Sequence, residues 1–105
     1  MRYEIILAPE AVEDLRALTA RTRAVVRDAL ERHLRHEPTK TSRSRIKRLR
    51  GVTRPQYRLR VDDIRIFYDI ARAVEVLAIV PKSRADAWLK RYAESQPIEK
   101  EGRNE

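Results

Sequence analysis

Residues 57–80, YRLRVDDIRIFYDIARAVEVLAIV, decide the fold. Tyr57, Leu59 and Val61 alternate with Arg58 and Arg60, the period of a half-buried strand. Ile64, Ile66, Tyr68 and Ile70 then alternate with Arg65, Phe67 and Asp69. Val74, Val76, Ala78 and Val80 alternate with Glu75, Leu77 and Ile79. Asp62-Asp63 and Ala71 to Ala73 separate these runs as turns. A two-residue turn at Asp62-Asp63 pairs Val61 with Ile64, Arg60 with Arg65 and Arg58 with Phe67. One face of the hairpin is then apolar and packs on helices. The other gathers Arg58, Arg60 and Arg65 around Phe67. Like charges directly opposite each other disfavour a sheet, and such local conflicts concentrate at functional sites.

Working outward, residues 2–7 read as a short strand with Tyr3, Ile5 and Leu7 on one face. Pro9 suits the first helical position, with Glu10, Glu13 and Asp14 at the positive end of a helix of about ten residues. Thr19 to Thr22 is a turn in which either threonine can cap a second helix running to about His36, where Pro38 stops it. Val26, Leu30 and Leu34 give that helix its apolar stripe, with His33 beside it as a packed histidine. Residues 39–54 lack periodicity and read as a loop anchored by Ile46 and Leu49. After Pro81, Ser83 and Asp86 resemble a capping box for a short helix whose core residues are Leu89 and Tyr92. The predicted class is α+β: a small, antiparallel-rich sheet of about four strands, an N-terminal helical hairpin and a short C-terminal helix, in the order β-α-α-β-β-β-α. Residues 1–94 form one domain, and 95–105 a polar, disordered tail.

The chain has 105 residues, 24 Lys and Arg against 16 Asp and Glu, and a net charge of +8. Residues 40–60 hold nine basic side chains and no acid, so the whole excess belongs to one fifth of the chain. Dense cations on one segment attract phosphates and release their counterions. An acidic protein partner can use the same surface, and a basic segment also keeps a protein soluble. Arginines grip phosphates bidentately, and an aromatic beside them can stack on an unpaired base. The alternative is an exposed face neutralised by Asp62, Asp63 and Asp69. With no cysteine, disulfide scaffolds, thiolate metal sites and thiol nucleophiles are excluded. His33 and His36 alone do not make a zinc site, so no metal and no cofactor is expected. No apolar run is long enough for a membrane span and no signal-peptide core is evident, which leads us to expect a soluble, cytoplasmic protein without membrane contacts.

PEAVEDLRAL (9–18), IKRLRG (46–51), YRLRVDDIRIFYDI (57–70) and VEVLAIVPKSRADAWL (74–89) together resemble the RelE/ParE superfamily of type II toxin-antitoxin toxins. The resemblance covers roughly residues 2–93. It implies a small sheet flanked by helices and a cognate antitoxin as partner. For RelE-like members it implies metal-independent cleavage of mRNA in the ribosomal A site, the 2′-hydroxyl attacking the adjacent phosphate to leave a cyclic phosphate. ParE-like members instead inhibit DNA gyrase, and a degenerate toxin would only bind antitoxin. Carried across by residue, the catalytic basic positions fall on Arg58, Arg60 and Arg65, and the later basic position on Lys82 or, with a small shift, Arg84. Lys47, Arg48, Arg50 and Arg54 would hold RNA with Arg84, while Phe67 or Trp88 would stack on a base. Two departures stand out. Arginine replaces the lysine frequent on the first hairpin strand, and a guanidinium is a poor general base, which leaves Lys82 for proton transfer. Trp88 replaces a tyrosine, and indole cannot act as a phenolic acid or base; Tyr92, one turn on, is a substitute.

Overall fold

The computed structural model describes residues 1–95. Its elements are β1 (Ile5–Leu7), α1 (Pro9–Ala17), α2 (Ala20–Leu34), β2 (Ile46–Arg48), β3 (Val52–Arg54), β4 (Tyr57–Val61), β5 (Ile64–Ile70), β6 (Val74–Pro81), α3 (Lys82–Tyr92) and β7 (Glu94–Ser95). A mixed five-stranded sheet runs in the order β1-β6-β5-β4-β2, and β3 pairs with β7 in a separate ribbon. Only β1 lies parallel to its neighbour. The α+β class is as expected, but the expected loop at 39–54 contains two strands. Ile46 is buried against Leu59 across the ladder, and three-residue strands are too short to announce themselves by alternation. Ser95, expected to begin a tail, pairs with Val52; the rest of that tail lies outside the described residues.

The hairpin of β4 and β5 has the expected register. Val61 opposes Ile64, Arg60 opposes Arg65 and Arg58 opposes Phe67. Asp62 takes φ 50, a left-handed conformation that a short polar side chain tolerates. The helix-facing side carries Leu59, Val61, Ile64, Ile66 and Tyr68, packed with Ala11 and Leu15 of α1 and Val26, Leu30 and Leu34 of α2. Tyr68 Oη donates to the carbonyl of buried Pro38 at 2.6 Å, tying the end of α2 to the sheet. Thr19 caps α2, its Oγ1 accepting from the Thr22 N–H at 3.2 Å.

A bulge in β6 sets what lies on the opposite side. Phe67 pairs with Ala78 but Tyr68 with Val76, which leaves Leu77 unpaired. One extra residue inverts the alternation beyond it. Val74, Val76 and Ile79 therefore face α1 and α2, whereas Ala78 and Val80 join Phe67 in a second cluster under α3. The simple alternation expected for 74–80 fails for this reason. Asp14 of α1 receives the Ile79 N–H at 2.9 Å, just past the bulge. α3 begins at Lys82 after Pro81, with no side-chain cap, so Ser83 and Asp86 do not form the expected box.

Candidate functional site

The side of the sheet away from α1 and α2 brings the basic residues together by register. Across β2, β4 and β5 one row reads Lys47, Arg58, Phe67, and the next pairs Arg60 with Arg65. Arg45 joins the second row, because its carbonyl accepts the Arg60 N–H at 2.9 Å. Arg60 and Lys47 are exposed and Arg58 is half-buried. Burial first, then the charges of Arg65 and Arg60, hold the Arg58 guanidinium below the usual arginine value. Its Nε is buried with no hydrogen-bond partner. A buried donor left unpaired is costly. Among the described residues no carboxylate lies within ion-pair distance of Lys47, Arg58, Arg60, Lys82 or Arg84.

Other expected site residues are engaged elsewhere. Arg65 is 7% exposed, and its Nη1 donates to the carbonyls of Asp62 and Ile64 at 2.8 and 3.1 Å, so it braces the hairpin turn. Phe67 is fully buried, with its ring stacked on Trp88 at 4.9 Å between centroids. It offers no face to a base, contrary to expectation, because α3 covers it. Trp88 is held from both sides: its ring meets Tyr92 at 5.6 Å, and its Nε1–H donates to Glu10 at 2.7 Å. Tyr92, expected in the core, is 52% exposed. Arg54 does not project freely toward a ligand. It pairs with Asp69, Glu75 and Glu94, and the Asp69 hydrogen bond above all raises its pKa. Arg48 lies over the Tyr57 ring at 5.1 Å and donates to the Gln56 carbonyl. Arg50 and Arg84 are exposed. Lys82 opens α3 beside the hairpin turn, its N–H donating to the Asp63 carbonyl at 2.6 Å.

A family model described as the ParE toxin of the type II toxin-antitoxin system, parDE, matches residues 5–86. The chain belongs to the ParE toxin family. Three solved structures are similar to it. The RelBE2 toxin-antitoxin complex from Mycobacterium tuberculosis has a chain 25% identical, with a TM-score of 0.63, covering 77% of this toxin and 99% of that chain. The archaeal RelE-RelB complex from Pyrococcus horikoshii OT3 has one 24% identical, with a TM-score of 0.59 and coverages of 80% and 99%. The RelB-RelE complex from Methanococcus jannaschii has one 16% identical, with a TM-score of 0.53 and coverages of 79% and 96%. No curated protein sequence matches.

The toxin also carries a concavity on its helix side. A groove of about 950 Å³ lies between β1, α1 and α2, floored by Ile5, Leu7, Leu15 and Leu30 and rimmed by Arg16, Arg23, Arg27 and Arg35. Three of the rim arginines are already engaged: Arg16 with Glu13, Arg35 with Glu31, and Arg23 with the carbonyls of Leu15, Arg16 and Leu18. Among the described residues no cluster of His, Cys, Asp or Glu is arranged to hold a metal ion, and no helix is long and apolar enough to cross a membrane. Lys47, expected in a loop, stands directly opposite Arg58. The signal was the buried Ile46 beside it, whose partner strand could not be read locally.

Proposed function

We propose that this toxin cleaves mRNA on the ribosome, with Arg58 and Arg60 gripping the scissile phosphate. The observation that carries this reading is Arg58: half-buried, flanked by cations and, among the described residues, without a carboxylate partner. A phosphate at this guanidinium supplies the opposite charge, and more so as charge builds on the phosphorane. The 2′-oxygen attacks phosphorus, the bond to the 5′-oxygen breaks, and a 2′,3′-cyclic phosphate and a 5′-hydroxyl result. Two protons move in that step. Lys47, opposite Arg58 on β2, and Lys82, the first residue of α3, are amines, and they serve as base and acid where guanidinium cannot. Arg65 and Trp88 act as supports that hold the hairpin turn and α3.

A cognate antitoxin neutralises it, a reading supported by the toxin-antitoxin complexes among its structural neighbours. The apolar groove rimmed by Arg27 suits an amphipathic segment with acidic flanks. Codon-phased mRNA 5′ ends, mapped by primer extension in a translation reaction, test the nuclease reading; Arg58→Ala abolishes them while antitoxin binding persists. The family model and the absence of a phenol at position 88 favour a second reading, gyrase inhibition by protein contact. Absence of phased ends together with inhibited supercoiling supports it instead.

A further inference from the structure

The geometry points to a nucleotide subsite next to the cationic row: a cleft between the C-terminal half of α3 and the 49–52 turn that takes one unpaired base of single-stranded RNA with its flanking phosphates. This deepens the ribonuclease reading and rests on its placing RNA on this side of the sheet. The cleft, about 340 Å³, is lined by Leu49, Arg50, Val52, Leu89, Lys90 and Ala93. Four of these are apolar and two are cations. Among the described residues no acid lines it, and neither Arg50 nor Lys90 reaches a carboxylate. The neighbouring cavity at Trp88 is different in kind, because Glu10 and Glu94 line it with Arg54 and cancel its charge.

Continuity with the phosphate row comes from the strand. Leu49 packs with Phe67 and Leu89 on the α3 side of the sheet, two residues after Lys47, which opposes Arg58. Gly51 at φ 79 then turns the chain so that Val52 returns to line the same cleft. A strand of RNA whose phosphate sits at Arg58 thus meets, next along, apolar walls for a base and two exposed cations for phosphates. A base needs the first and its backbone the second. An acidic peptide with apolar side chains would suit the same walls and cations; what favours RNA is the continuity of this cleft with the row of Lys47 and Arg58.

The test uses the full-length toxin and fluorescein-labelled, 2′-O-methylated tetraribonucleotides, intact or with one abasic position moved along the strand, read by anisotropy across a salt series. Loss of the base at one position is expected to weaken wild-type binding about tenfold. In Ala93→Leu, which fills the cleft, that difference disappears. Lys90→Ala and Arg50→Ala, on exposed positions, each lower the slope of log affinity against log salt by about 0.7. The proposal is overturned if every abasic position binds as tightly as the intact strand, if the Lys90→Ala slope equals wild type, or if an oligoglutamate peptide of equal charge binds as tightly as the RNA. Oligonucleotide binding that follows this pattern without codon-phased cleavage on ribosomes upholds the subsite and rejects the nuclease reading alone.

Discussion

Arg54 and Arg58 lie four residues apart in one basic run, and their surroundings give them opposite jobs. Arg54 closes an ion-pair network with Asp69, Glu75 and Glu94, linking β3, β5, β6 and β7. Among the described residues Arg58 has no such partner, and its buried Nε–H is unpaired. Arg54→Ala is expected to lower stability by about 1 kcal/mol, while Arg58→Met leaves stability unchanged or raises it by up to about 1 kcal/mol. Urea midpoints of the two variants check this, and equal losses would remove the distinction. Tyr68 is a purely structural counterpart. Its hydroxyl is committed to Pro38, and burial, with Tyr57 adding to it, raises its pKa far above the ordinary tyrosine value. Tyr68→Phe leaves a buried carbonyl without its donor, so a loss of about 1–2 kcal/mol is expected in equilibrium unfolding. The arginines of the hairpin were legible as residues and as a register. Which of them remained free was not, because carbonyl and carboxylate partners arrive from distant segments.

At the scale of elements, α3 and the β6 bulge govern what the sheet exposes. The bulge turns Ala78 and Val80 toward α3, and α3 lays Trp88 on Phe67. Phe67 thereby becomes core. Phe67→Ala is expected to destabilise the toxin by about 3–4 kcal/mol, visible as a large drop in the melting temperature. A Phe67 that served an open stacking role would leave melting unchanged and impair only RNA contact. Strand alternation in 57–70 was clear in the sequence because both turn and partner are local. The β6 bulge was not, since an unbroken apolar run from Val76 to Val80 is compatible with either parity. β2 and β3 escaped notice for a related reason: short strands amid arginines are defined by their partners.

At the scale of the molecule, the excess charge of residues 40–60 stays largely unpaired among the described residues. Lys40 reaches Glu37 and Arg54 its three acids, while Lys47, Arg58 and Arg60 line one face of the sheet and Arg45 stands beside α2. That field reaches His33 on α2: burial first, then Arg45 and Arg32, hold its pKa below the ordinary value, with Asp28 opposing. The folded state then binds fewer protons than the unfolded one as pH falls through about 6.5, so stability declines on that acid side. Melting temperatures between pH 7.5 and 5 are expected to fall more steeply for wild type than for His33→Gln, and parallel curves would contradict the link. The sequence by itself determined the α+β class, the hairpin register and the concentration of charge, because each depends on neighbours within a few residues or on composition. Only the tertiary structure decided which cations face solvent unpaired, which aromatics are core and where Lys47 stands. Those outcomes depend on contacts between segments far apart in the chain, through hydrogen bonds and packing that no local pattern encodes.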